Sequence, residues 1–333
     1  MPFSIHHVIN HSWQNPAWNW LASALPELTW SHHTRQGLHW PGSEFLRSLI
    51  AAFRAAWAAR QPQTLVVSHG PLPAVYAGMA MALLAPGRPH LVYAFNFTQL
   101  PQGFKRRVIA WVLRRASRFV VFSSMEKALY AHHFGLPLER IDFVPWAAKP
   151  LLGTTCPPGM PEGDFVCAIG SQGRDYATLI EAARQLPEIP LVVVVNPENL
   201  QGIEVPPHVK VYTRIPIEQV GGILNRSRFM VLPLATSEVP CGHVTLVSAF
   251  HASKAVVVTG STGVQDYLQD GRNGLTVPPK APREMAQAMR KLWQSPDTCR
   301  ALGEHGAAYA REQCTEEAVV QYFRGVLKHM EQP

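Results

Sequence analysis

Short apolar runs alternate with segments of helical periodicity along the whole chain. In the first half the runs fall at His7–Asn10, Thr64–Ser68, His90–Phe95, Phe119–Phe122 and Ile141–Val144, and each has the length of a strand. Between them, Phe45–Arg60 and Ala74–Leu84 repeat apolar residues with the period of a helix. The second half repeats the scheme. Strands are predicted at Phe165–Ile169, Pro190–Val195, Val209–Tyr212, Phe229–Leu232 and Ala255–Thr259. Helices are predicted at Tyr176–Gln185, Ile217–Leu224, Val244–Ala252, Pro282–Gln294 and Pro296–Glu312. The unbroken valines at 192–195 and 256–258 suit strands buried on both faces. Such alternation predicts a parallel sheet covered by helices on both sides. The segment PWAAKPLLGTTCPPGMPEG, residues 145–163, is dense in Pro and Gly and reads as an interdomain linker. The expected architecture is α/β: two Rossmann-like parallel-sheet domains, 1–147 and 164–315, facing a cleft and joined by a linker at 148–163. A C-terminal helix, 316–333, is expected to pack back on the first domain. A length of 333 residues agrees with about two domains.

Composition narrows the class. Apolar residues make up 47% of the chain, enough for full cores. Mean hydropathy is near zero and no apolar run has membrane-spanning length, which argues for a soluble chain. The start, MPFSIHHVINHSWQ, has no basic region followed by an apolar core, so no signal peptide is expected. Cys156, Cys167, Cys241, Cys299 and Cys314 are scattered and form no CxxC pair, which fits a reducing cytoplasm and suggests no structural metal. Net charge is +7, from 30 basic and 23 acidic residues. The excess is local: Ala94–Met125 holds six basic residues and no acidic one. Such a run suits sugar phosphates, anionic lipid or nucleic acid. Nucleic acid is the least favoured, because no recognised motif or aromatic platform accompanies it.

Two loops carry candidate chemistry. In Ala168–Tyr176 a strand ends in Gly170, a loop holding Ser171, Gly173 and Arg174 follows, and a helix begins near Asp175. Free amides at that helix start, with the Arg174 fork, can meet a phosphate. Equally, this is a Gly turn with Asp175 as N-cap. The G-x-G-x-x-G spacing of a Rossmann fingerprint is absent. The second loop, Cys241-Gly242, opens an apolar helix. Gly242 permits close backbone approach, and His243 and Thr245 add side-chain donors. The alternative there is plain helix capping.

The stretch Ser237–Pro279 resembles the donor-sugar signature of retaining glycosyltransferases of family four, which have the GT-B fold. The matching residues are Glu238, Gly242, Ala249, Lys254, Val256-Val257, Gly263, Asp270-Gly271, Asn273-Gly274 and Pro278-Pro279. The resemblance extends to Gly170–Arg174, Ile217–Leu224 with Val231-Leu232-Pro233, and to Ser123, Glu126, Lys127, Val144 and Pro145. It implies a metal-independent enzyme that moves a sugar from a nucleotide-sugar to a glycan or lipid-linked acceptor, in bacterial envelope or exopolysaccharide synthesis. The nucleotide-sugar is then a substrate, and no cofactor is implied. In the family a donor phosphate oxygen helps deprotonate the acceptor hydroxyl on the same sugar face, so the anomeric configuration is retained. Carried onto this chain, the resemblance gives Glu238, Arg174, His69 and Asn96 as catalytic. It gives Gly170, Ser171, Arg174, Arg214, Ile215, Cys241, Gly242, His243, Thr245 and Ser248 as donor-binding. Glu238 would lie near the transferred sugar and Ser248 near the ribose.

The chain departs from the family pattern at four places. Ser248 stands where a second Glu usually holds the ribose, Asn96 where a His is frequent, and Asp175 where a Lys often follows the Arg. Asn10-His11-Ser12-Trp13 replaces the Gly-rich loop after the first strand. These departures leave open a catalytically silent GT-B paralogue that binds a nucleotide-sugar or a partner protein. Another GT-B reaction, such as epimerisation, is a third reading.

In the first domain His69, after a strand and before Gly70-Pro71, faces acceptor or donor, or is a strand-end histidine with a local hydrogen bond. Trp13, Trp18, Trp20, Trp30 and Trp40 crowd the start and suit packing or sugar stacking. Gly103–Arg118 is amphipathic, with Arg106, Arg107, Arg114 and Arg118 on one side and Phe104, Val108, Ile109, Val112 and Ala116 on the other. Lys105, Arg106, Arg107 and Arg114 can face a membrane or an acceptor, with the enzyme in the cytoplasm at the inner face of the plasma membrane. The alternative is a surface helix with its apolar side in the core.

Overall fold

The computed structural model describes residues 3–9, 19–34, 44–97, 99–235 and 240–331. The chain divides into two compact units, Met1–Val144 with Val320–Pro333, and Pro145–Val319.

The first unit runs β1 Ser4–Ile9, α1 Asn19–Ala24, β2 Thr29–His33, α2 Glu44–Ala58, β3 Thr64–His69, α3 Pro71–Leu84, β4 His90–Tyr93, α4 Gly103–Leu113, β5 Arg118–Val121, α5 Ser124–Phe134 and β6 Ile141–Phe143. Its six strands are all parallel, in the order β2-β1-β3-β4-β5-β6. The second unit runs β7 Val166–Ile169, α6 Tyr176–Arg184, β8 Leu191–Val194, β9 Val209–Tyr212, α7 Ile217–Arg226, β10 Met230–Leu232, α8 His243–His251, β11 Val256–Thr259, β12 Leu275–Val277, α9 Pro282–Gln294 and α10 Pro296–Gln313. Its parallel order is β12-β11-β10-β7-β8-β9. The last helix, α11 Glu316–Glu331, follows α10, and its residues from Val320 onward belong to the first unit.

The central strands form as their composition requires. β4 and β11 are buried at every position, and β3 and β5 at all but one. The two strands without a sequence signal, β2 and β12, both lie at sheet edges. β2 reads TWSHH and has no fully buried residue, so it lacks the apolar run that betrays a buried strand. Its pairing with β1 is reinforced by side chains: His6 Nδ1 lies 2.9 Å from His33 Nε2, and His7 Nδ1 3.1 Å from His32 Nδ1. Between Gly263 and Asp270 the sequence reads as a short helix after a Gly-containing turn, but no helix forms there. Residues 262–267 form successive turns instead, closed by Val264 N to Ser261 O and Tyr267 N to Val264 O.

In the second unit one core covers a single face of β7, β8 and β10, where Val166, Ala168, Val193 and Val231 meet Leu179 and Ile180 of α6. The Pro- and Gly-rich segment 145–163 lies against α7. Asn225 Nδ2 donates to the carbonyls of Leu151 and Gly153, and Gly153 meets the Glu218 carbonyl where no Cβ fits. The Asp-Gly-x-Asn-Gly motif proves to be a folding device. Asn273 is buried, donates to Tyr267 O at 2.9 Å and accepts from Gln269 N at 2.8 Å, while Asp270 accepts from Thr276 N. Gly274 passes so close to Val256 and Leu268 that a Cβ would collide with both.

In the first unit a buried acid organises the carboxyl ends of β4 and β5. Ser123 caps α5 by accepting from Glu126 N, and the Glu126 carboxyl accepts in return from Ser123 N, forming a capping box, and from Phe122 N at 3.0 Å. Glu126 Oε1 accepts from Tyr130 OH, which itself accepts from Phe97 N, so one carboxyl pins the segment after β4. Burial, opposed by these hydrogen bonds, raises the Glu126 pKa to about 7. A raised acid pKa means that the folded state holds a proton the unfolded state has released. Glu126 therefore favours folding most below its unfolded pKa of 4.5, and this contribution is lost as pH rises to about 7. Glu126→Gln removes the titration. Wild type is expected to lose on the order of 3 kcal/mol relative to the variant as pH rises from about 4.5 to about 7. Paired thermal melts measure this difference, and parallel stability curves would exclude it.

Candidate functional site

In the second sheet the chain leaves β7 towards β8 and β9, then returns to start β10 on the other side of β7. The loops after β7 and β10 therefore part in opposite directions, which opens a crevice at the carboxyl ends of the strands. The loop after β7 is Gly170–Asp175. Gly170, at φ 107°, donates to Val194 O and accepts from Tyr176 OH. Asp175 N donates to Pro233 O and Ala235 N to Gly173 O, both at 2.9 Å, so Arg174 and Leu234 form an antiparallel bridge. The two loops are stitched together across the crevice. Asp175 also caps α6, taking Thr178 N on Oδ1 and Thr178 Oγ1 on Oδ2. The cap and the loop are thus features of one structure.

This stitch fixes Arg174. Its Nη1 donates to Gln172 O at 2.7 Å and its Nη2 to Thr245 Oγ1 at 3.1 Å. Arg174 is half-buried, with its Nε fully so, and burial lowers its pKa. Among the described residues no carboxylate pairs with it, and Nε is buried without a hydrogen-bond partner. Gly170 leaves the room it needs, since a Cβ there would lie 3.0 Å from Nη2. A buried cation without an anion is costly.

The other wall is the start of α8. Gly242, at φ 93°, is its N-cap and offers no side-chain cap, so the first-turn amides have no intrahelical acceptor. A Cβ on Gly242 would come within 3.2 Å of Leu232 and Leu234, which places the helix start over the end of β10. Thr245, the Arg174 partner, lies in that first turn. A cation beside the positive end of a helix is unfavourable unless an anion sits between them. Geometry and charge therefore define an anion site. In contrast, α3 in the first unit also starts at a glycine, Gly70, but carries Pro71 and Pro73 in its first turn and loses those donors. A pocket of about 510 Å³ in that unit holds Arg118, yet Asp142 pairs with it at 2.8 Å and also accepts from Tyr322. Its arginine is already paired.

The remaining candidates fall out as follows. Ser171 Oγ accepts from Asn196 N and Ser171 O from Asn199 Nδ2, so Ser171 holds the neighbouring loop. Cys241 is buried against Gly173, with its Sγ 3.8 Å from Gly173 O. His243 Nε2 bonds Gly263 O at 2.6 Å, and the ring packs at a tilt of 51° against Tyr267. That nitrogen is spent on the fold, which leaves His243 its Nδ1 and its main-chain amide. Ser248 follows Thr245 by three residues on α8, and its hydroxyl donates to Val244 O at 2.7 Å. Arg214 and Ile215 follow the edge strand β9. Arg214 is exposed, and among the described residues nothing bonds it to the Arg174 group. Glu238 lies outside the described residues, as do Asn10–Trp13, Trp18 and Trp40.

In the first unit His69 ends β3 with its ring near His7 and Tyr93, and Asn96 lies just beyond the adjacent β4. Both occupy the carboxyl edge of that sheet. Lys105, Arg106, Arg107 and Arg114 are exposed on or just after α4, and the three arginines line a surface pocket of about 480 Å³. The expected division of this helix is incomplete. Ile109 and Val112 are buried, but Phe104 and Val108 are exposed. Sequence reasoning missed Tyr176, whose hydroxyl holds Gly170, and Thr259, whose Oγ1 accepts from Leu234 N at 3.1 Å. Neither residue has a motif of its own. A loop carbonyl or amide one strand away is visible only in three dimensions.

Two family models match the chain: glycosyl transferases group 1 over residues 165–295, and glycosyltransferase family 4 over residues 5–147. Together they span both sheets. The chain belongs to the GT-B glycosyltransferases. Among solved structures, sucrose-phosphate synthase from Thermosynechococcus elongatus superposes with a TM-score of 0.75 at 16% identity, covering 98% of this chain and 99% of its own. Anabaena HepE in complex with UDP gives 0.74 at 14% identity over 98% and 100%. HepE in complex with UDP-glucose gives 0.72 at 15% identity over 98% and 99%. At these identities the likeness shows the fold. No curated protein sequence matches this glycosyltransferase.

Arg174 has hydrogen-bond partners in the fold but no carboxylate among the described residues, so its charge is not required for packing. Arg174→Met keeps most of the side-chain volume and deletes the charge. The variant is expected to melt at or above the wild-type temperature without ligand, as buried charges replaced by apolar groups often do. A loss of several kcal/mol would show that the fold depends on the charge of Arg174.

Proposed function

We propose that this glycosyltransferase binds the diphosphate of a nucleotide-sugar between Arg174 and the N-terminus of α8, and transfers the sugar with retention to a glycan or lipid-linked acceptor. The observation that carries the reading is the Arg174 guanidinium, with its Nε buried and unpartnered beside the uncapped start of α8. A diphosphate leaving group gains negative charge as the anomeric C–O bond breaks. Preorganised positive groups at that point stabilise the transition state more than the ground state. Protein charge then does the work that a metal does elsewhere, and transfer is expected to survive chelation by EDTA. The solved HepE complexes with UDP and UDP-glucose support the ligand class.

On this reading Gly170 and Gly242 allow close approach to the phosphates, with Thr245 supporting Arg174. Glu238 lies near the transferred sugar and Ser248 near the ribose. His69 and Asn96 serve the acceptor side. The acceptor belongs to bacterial envelope or exopolysaccharide synthesis and is met at the inner face of a membrane. The Ser248 hydroxyl, already committed to Val244 O, supports a weak grip on the ribose and gives a second reading, a module that binds without turnover.

A panel of nucleotide-sugars separates the two. Turnover of one donor, with nucleoside diphosphate raising the melting temperature, is expected. Arg174→Ala is expected to lower kcat by roughly 100- to 1,000-fold, the cost of one preorganised donor. Binding without turnover would favour the silent module, and unchanged turnover in the variant would overturn the phosphate assignment.

A further inference from the structure

Helices α2, α3 and α4 of the first unit have an inverted distribution of side chains. α2 packs on α3, and α3 on α4. The contacts between α2 and α3 are made largely by alanines, with Ala52, Ala55, Ala56, Ala77 and Ala80 buried in one cluster. α4 is drawn close to α3 because Gly78 meets Val112, leaving no room for a Cβ. The large apolar side chains point the other way. Leu46, Phe53 and Trp57 of α2 recur at i, i+7 and i+11, and Leu72, Met79 and Leu83 of α3 repeat that spacing. All six are exposed, Leu83 by 72% and Trp57 by 62%. On α4, Phe104, Val108 and Trp111 recur at i, i+4 and i+7, with Phe104 exposed by 80% and Trp111 by 55%. Single exposed apolar residues are ordinary, but nine large ones on three helices that pack side by side are not, and such groupings mark interaction surfaces.

The charge around the patch is of one sign. From Phe45 to Met125 the chain has no Asp or Glu, and it has ten Lys or Arg. Arg60 lies over the Trp57 ring at 4.3 Å and Arg115 over the Trp111 ring at 3.9 Å, so cations flank the aromatic groups. Arg106, Arg107 and Arg114 line the pocket beside Trp111. A protein partner would require an acidic, shape-matched surface. A phospholipid surface needs only what is present: apolar and tryptophan side chains for the acyl boundary, and many cations for anionic headgroups. Among the described residues no helix is long and apolar enough to cross a membrane, so contact would be with the surface alone.

We infer that the α2–α3–α4 face docks this protein onto an anionic phospholipid membrane. The inference deepens the proposed membrane-side acceptor, but it can be tested without donor or transfer. The protein is sedimented with phosphatidylcholine vesicles that contain phosphatidylglycerol, and with pure phosphatidylcholine vesicles. Binding to the first, release by high salt, and weak binding to the second are expected. The double variant Phe104→Ser/Trp111→Ser, whose sites are exposed, should keep the wild-type melting temperature and lose about tenfold or more in vesicle affinity. Wild-type indifference to phosphatidylglycerol, or a double variant that binds as well as wild type, would overturn the inference. Sedimentation velocity without lipid adds a third outcome. A dimer abolished by the double variant, with no vesicle binding, would assign the face to a second copy of the chain. Loss of vesicle binding leaves the donor assignment untouched, and loss of transfer leaves this one untouched.

Discussion

The antiparallel stitch between the loops after β7 and β10 is the constraint on which the candidate site depends. Two backbone hydrogen bonds, Asp175 N to Pro233 O and Ala235 N to Gly173 O, close the crevice on one side. They hold Arg174 where its guanidinium must turn inwards, over Gly170 and against Thr245. Everything else around it supports that position. Tyr176 holds Gly170, Thr259 holds Leu234, and His243 ties the start of α8 to the turn at Gly263. The scaffold thereby places a cation beside a positive helix end. That placement is unfavourable without an anion, which is what makes this crevice a candidate anion site.

Much of the sheet was legible because buried parallel strands must be apolar throughout. Val192–Val195 and Val256–Val258 could be little else. The edge strands β2 and β12 were not legible, because an edge position tolerates polar residues and β2 is held partly by histidine pairs. α5 was also missed as a helix, since its apolar residues do not form a strong stripe and its clearest signal is the Ser123–Glu126 capping box. The turns at 262–267 looked helical in composition, but their bonds, Val264 N to Ser261 O and Tyr267 N and Leu268 N to Val264 O, do not continue as a helical ladder.

The most recognisable motif illustrates a second limit. Asp270–Gly274 identified the family, yet Asn273 and Asp270 spend their side chains on closing a turn and starting β12. A motif can mark a fold without touching its chemistry. Arg174 is the reverse case. Its spacing after β7 suggested a phosphate partner, but only the three-dimensional arrangement shows that the described residues give it no carboxylate. The first unit adds a similar lesson. Amphipathic periodicity in α4 predicted a core-facing stripe, and the structure buries Ile109 and Val112 as expected. It leaves Phe104, Val108 and Trp111 on the surface, because Gly78 and the alanines of α2 and α3 make contacts close enough to need no larger side chains.

The central claim is that Arg174 and the start of α8 form one diphosphate site. A crystal structure with a nucleoside diphosphate tests it most directly. The account expects a phosphate oxygen within hydrogen-bond distance of Arg174 Nε and of the first amides of α8. A nucleotide bound elsewhere, or one that leaves Arg174 Nε unmet, would contradict it.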